Sequence, residues 1–256
     1  GFVLKMPFLP VVLMGQAIVL LLTLRTNQSL ARLHEARTAC GKATVAAREA
    51  GGLLEAYLMR QNPHAASLAV RHLMLFGWLL KAFVRGEPVQ EVDQIARLLL
   101  PVAEARWVAH QPKPVLALLT SIRRIIAECD ARGEVGRVAH RTVESQLGIL
   151  NSTVGTCEQL LGSPVPPTYT RHTSRVLLSF LLLIPIGLDE LKLSATLTLF
   201  TTAFITYVMI GIDEIGVEIE QPFQLLPLHQ LARELMEDVA AELEPWCLPP
   251  AGSCGW

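Results

Sequence analysis

The chain has 256 residues, 51% of them hydrophobic and only 18% charged, with a formal net charge of −1 and a mean hydropathy of +0.40. With that balance, and no basic run interleaved with its 6% of aromatics, nothing points to a nucleic-acid partner. Five widely spaced cysteines (Cys40, Cys129, Cys157, Cys247, Cys254) without a CxxC pair argue for buried or incidental thiols rather than a disulfide framework.

The apolar excess sits in blocks. The first block, Pro7 to Leu24, has about the length a spanning helix needs, roughly 17 to 25 residues. The competing reading is a buried helix of a soluble protein. Arg25 closes the block, with Arg32 and Arg37 just beyond. From Asn27 to Pro164 apolar residues recur at helical spacing with Arg, Glu and His between them. Breaks fall at Asn62–Pro63, Gly86–Pro88, Gln111–Pro114 and Arg132–Glu134. This stretch reads as a helical aqueous domain with Trp78 and Trp107 in its core.

An apolar hairpin follows. Val176 to Leu188 is short, is interrupted by Pro185, and needs part of Tyr169–Ser174 to cross a bilayer. Leu193 to Ile212 is long enough alone, and its threonines can bond their own helix carbonyls, so they signal helix packing as readily as a pore. Arginines after the first span and before the second orient the aqueous domain toward the cytoplasm or its equivalent. The tail carries one more amphipathic helix and then a Pro- and Gly-rich end. The domain boundaries expected are therefore 1–26, 27–167, 168–223 and 224–256.

Candidate chemistry is sparse. The seven histidines form neither HxxxH nor HExxH, and no GxGxxG, P-loop or GxSxG is present. Ser174 and His172 are two residues apart, which points them away from each other on a helix. No catalytic residue, metal site or cofactor is assigned. Asp213, Glu214, Glu218 and Glu220 lack the glycine-bearing turn of a hard-cation loop. Ion pairing is the preferred reading, with Arg25, Arg37, Arg171 and Arg175 as the candidate partners.

Four ordered strings resemble the bestrophin family. Leu24 to Arg37 is similar to the family pattern FRTNxSYxRWxEAR, and Leu75 to Gly86 to its second conserved helix. The strings Ser163–Arg175 and Gly211–Phe223 resemble the borders of its last two membrane helices. The resemblance implies an all-α membrane protein forming a homopentameric anion channel, with a further helix upstream of Gly1. It implies chloride, and bicarbonate as a second candidate, as the conducted ions, in an algal or plant thylakoid membrane with the aqueous domain in the stroma. The pore neck would be Leu9, Leu13 and Ala17, whose i, i+4, i+8 spacing independently puts them on one helical face. Val165 would form a second constriction. The alternative the resemblance leaves open is a non-conducting scaffold subunit among other membrane subunits.

The chain departs from the pattern at three places. Leu30 and Leu33 replace a family Tyr and Trp. Ala17 is small where the family has bulk, which implies a wider inner neck. After Pro222 and Phe223 the acidic and glycine residues of PFGxDxNDLPL are missing, and nothing matches the calcium clasp of animal bestrophins.

Overall fold

The structure, a computed structural model, describes residues 7–163 and 166–241. Among these, every regular element is helical, as the sequence led us to expect. In chain order they are α1 (Phe8–Leu58), α2 (Pro63–Arg85), a 3-10 turn (Val89–Glu91), α3 (Asp93–Leu99), α4 (Val102–Ala109) and α5 (Pro114–Ala131). Then come α6 (Arg137–Gly162), α7 (Pro167–Asp189), α8 (Ala195–Ile219), α9 (Pro222–Leu225) and α10 (Leu228–Ala241). The chain divides into two units, Gly1–Glu35 with Ser163–Leu225, and Ala36–Gly162 with Leu226–Trp256. Helix α1 runs unbroken past residue 26 and contributes to both. Val165, Cys247 and Cys254 lie outside the described residues.

The second unit is built around α2. Asn62 caps its start, its side chain accepting from the Ala65 amide at 3.0 Å, and Pro63 occupies the first turn, where a missing N–H costs nothing. Gly86 ends it in the left-handed region (φ 65°), and the next amide, Glu87 N–H, donates back to the Ala82 carbonyl at 2.9 Å. Four helices, α1, α2, α7 from Thr168 and α8, are long and apolar enough to cross a membrane. In α2, however, 61% of the apolar window is buried inside the protein, whereas in α8 none is. The apolar surface of α2 is spent on packing against α5 and α10, which accounts for its composition without a bilayer.

Three thiols, Cys40, Cys129 and Cys157, are free and buried in this unit. Burial pushes Cys40 and Cys129 up to about 11 and Cys157 up to about 12, so they stay protonated near neutrality. At Gly77 α2 approaches α10 closely, and a Cβ there would stand 3.1 Å from Ala232 Cα. A Cβ at Gly155 on α6 would meet nothing within 4 Å. Gly77→Ala is therefore expected to cost about 1–3 kcal/mol by overpacking. Gly155→Ala should be neutral or stabilise by up to ~1 kcal/mol through helix propensity. Thermal unfolding of the two variants checks this, and equal shifts would contradict it.

Candidate functional site

The first unit holds the N-terminal part of α1 with α7, α8 and α9. Its apolar core joins Val11, Ile18 and Leu22 of α1 to Leu177, Phe180, Leu181, Ile184 and Leu188 of α7, with Ile205 and Met209 of α8 packed against it. The α7 residues recur at helical spacing and make one buried face. The helix continues through Pro185, which leaves the Leu181 carbonyl without its usual donor. At Gly187 a Cβ would come within 2.9 Å of Val11 Cγ2, so α1 and α7 meet at a distance that only glycine permits there. The hairpin turn puts Lys192 in the left-handed region (φ 52°), and Ser194 caps α8 by accepting from the Leu197 amide. Near that turn, the Phe8 amide donates to the Glu190 carboxylate.

At the opposite end of the hairpin a polar clasp holds the three helices. Arg25 is 1% exposed. Its Nη1 donates to Asp213 Oδ1 at 2.5 Å and its Nε to Glu220 Oε1 at 2.9 Å. Two hydroxyls of α7 also donate to these carboxylates. Ser174 Oγ donates to Asp213 Oδ2 at 3.2 Å, and Thr170 Oγ1 to Glu220 Oε1 at 3.3 Å. Tyr169 reaches the Leu21 carbonyl at 3.5 Å. Gly216, buried between the two carboxylates in sequence, faces Thr26 and the Arg25 side chain. Two carboxylates thus face the buried guanidinium and offset the cost of its burial, while its Nη2 is buried without a hydrogen-bond partner among the described residues.

The eight sequence-nominated charges therefore separate into two groups. Arg25, Asp213 and Glu220 are brought together. Arg37, Arg171, Arg175, Glu214 and Glu218 are exposed, and none has an ion-pair partner within 4.0 Å among the described residues. No cluster of three or more His, Cys, Asp or Glu able to hold a metal occurs among the described residues.

The clasp and the core fix the rotation of α1. Val11, Ile18, Leu22 and Arg25 share its buried face. Leu9 (68% exposed), Leu13 (57%) and Ala17 lie on the opposite side, and Leu20 and Leu24 extend that free face. Gln16 is exposed there too, in i, i+7 relation to Leu9. Nothing in the sequence pattern singles out Gln16 beyond its being an amide in the middle of an apolar span.

The family model described as Bacterial/Fungal Bestrophin protein matches residues 1–241. The chain belongs to the bestrophin family. A voltage-dependent anion channel-forming protein of Synechocystis is 25% identical over 256 residues, covering 96% of this chain and 81% of that protein. The chloroplastic voltage-dependent chloride channel 1 of Arabidopsis thaliana is 28% identical over 242 residues. The match covers 90% of this chain but about half (54%) of that relative. Crystal structures of variants of a bacterial bestrophin homolog from Klebsiella pneumoniae superpose well. One, 26% identical, has a TM-score of 0.84, and another, 25% identical, has 0.86; each match covers 94% of this chain and 89% of the other. This bestrophin carries several helices long and apolar enough to cross a bilayer.

Removing Arg25 would leave two carboxylates facing each other without a cation. Arg25→Ala is expected to cost about 3–5 kcal/mol, as for breaking a buried pair from one side. Arg37→Ala, at an exposed residue without an ion pair, should stay within about 0.5 kcal/mol. Thermal stability of the solubilised protein measures both, and an Arg25→Ala protein as stable as the parent would refute a structural role for the clasp.

Proposed function

We propose that this bestrophin is an anion channel, conducting chloride and bicarbonate along the axis of a homopentamer whose pore is walled by the free face of α1. The observation that carries the reading is the asymmetry of α1. One face is committed to α7 and to the Arg25 clasp, and the other presents Leu9, Leu13 and Ala17, which stay exposed among the described residues. The channel names of the relatives from Synechocystis and Arabidopsis support the same activity.

The mechanism follows from the residue types. A ring of leucines excludes water when narrow and passes ions when it widens, so it gates by dewetting. Such a ring holds no fixed cation, and an anion crosses it without being trapped. Gln16 would present its amide N–H groups to an anion between the Leu13 and Leu20 levels, replacing part of the lost hydration. Ala17 makes the inner end of the neck the wider one. Val165 is proposed as the second constriction. The chloroplastic names of the Arabidopsis relatives support a chloroplast address; a thylakoid location within it is proposed, and fractionation of source membranes would test it.

Reconstitution in planar bilayers tests the reading. Leu13→Ala should raise unitary conductance severalfold or abolish rectification, and Ala17→Leu should lower conductance. Unchanged currents in both variants would remove α1 from the pore. A purified parent protein that carries no current above bare bilayers would favour the non-conducting subunit instead.

A further inference from the structure

Two stripes on the hairpin helices, exposed except at the half-buried Gly211, match each other in spacing and in charge. On α7 the stripe is Arg171, Arg175, Leu178 and Leu182, at i, i+4, i+7 and i+11. On α8, read in the opposite direction, it is Glu218, Glu214, Gly211 and Tyr207, with the same intervals. Each set lies on one helical face. Leu178, Leu182 and Tyr207 are 59%, 67% and 79% exposed, and the four charges have no ion-pair partner among the described residues.

The stripes also stand at equal heights. The bonds Ser174–Asp213 and Thr170–Glu220 set the register of the antiparallel hairpin. In that register Arg175 is level with Glu214, and Arg171 with Glu218, to within about 3 Å at 1.5 Å per residue. Leu178 is then level with Gly211 and Leu182 with Tyr207. Yet the pairs do not close within the protomer, because both stripes point away from the core that α7 and α8 share with α1.

We infer that these stripes are the two halves of a seam between neighbouring copies of this chain, α7 of one against α8 of the next. The inference rests on the oligomeric reading above. Rotation about an axis along the membrane normal leaves height unchanged, so stripes level within one protomer remain level between neighbours. A head-to-tail interface of this kind closes into a ring. Two ion pairs then form at the membrane edge, where unpaired charges are costly. Above them Leu178 enters the gap at Gly211. Among the described residues nothing requires a glycine there, since a Cβ would meet nothing within 4 Å. A neighbour's leucine supplies the reason. Anionic lipid headgroups would suit the arginines alone and would repel the carboxylates, so a second copy fits the whole pattern better.

The test keeps the charges native. In a full-length background with all five cysteines replaced, Leu178→Cys and Gly211→Cys are placed in separately tagged copies and co-expressed. Mild oxidation of the membranes should link the two tags, at least tenfold more than the off-register pair Leu182→Cys with Gly211→Cys. In parallel, reversing Arg171 and Arg175 to Glu, or Glu214 and Glu218 to Arg, should each reduce the oligomer at least tenfold, and combining the reversals should restore it. An intact parent oligomer with no cross-link and no effect of reversal would overturn the seam while leaving the oligomer standing. Loss of co-purifying anionic phospholipid on arginine reversal, with the oligomer intact, would also overturn it. A monomeric parent protein would instead bring down the oligomeric reading, and the seam with it.

Discussion

The fold of the membrane unit depends on one buried cation. Arg25 sits at the end of the first apolar block, where a long helix would otherwise be free to rotate about its axis. Two of its nitrogens reach carboxylates about two turns apart, Asp213 on α8 and Glu220 at its C-terminal cap, and each carboxylate is also held by a hydroxyl of α7. A lysine could not make that forked contact, because its charge is a single point on a flexible stem. With Arg25 pinned, the position of every residue above it on α1 follows from helical periodicity. Val11, Ile18 and Leu22 must face α7, and Leu9, Leu13 and Ala17 must face away. The clasp is thus an orienting device whose consequence is felt four turns away.

The same constraint explains how charge and hydrocarbon coexist here. Ionisable groups near a membrane core need partners or a pathway. The partners of Arg25, Asp213 and Glu220 are internal. The remaining charges at this level face outward, and in the proposed assembly they find partners on the next copy. The unit therefore divides its polar residues between holding a protomer together and joining protomers, with glycines set where helices approach.

Much of this was legible in the sequence, because helical periodicity and apolar block length are local signals. The all-helical class, the first span and the hairpin each follow from a run of residues that can be read in place. The family strings added the chain's place among bestrophins, which the match over residues 1–241 shows. Less legible was which charges meet. Arg25 and Asp213 are 188 residues apart, and nothing local distinguishes Asp213 and Glu220 from Glu214 and Glu218 except their angle around α8. That angle acquires meaning only when α1 is present. Likewise α2 has the length and hydropathy of a span, and only its packing against α5 and α10 shows where its apolar surface goes. Gln16 escaped notice because an isolated amide in a leucine-rich run has no pattern of its own.

The central claim is that the face of α1 left free by the clasp borders the conducting path. Cysteine accessibility on reconstituted protein addresses it directly. Single cysteines at Leu9, Leu13 and Gln16, and at Val11, Ile18 and Leu22, are introduced into a cysteine-free background and treated with a charged, water-soluble thiol reagent during current recording. The account predicts that modification at the first three positions alters or blocks the anion current and that the second three are inert. Block at Val11, Ile18 or Leu22, or no effect at Leu9, Leu13 and Gln16, would contradict it.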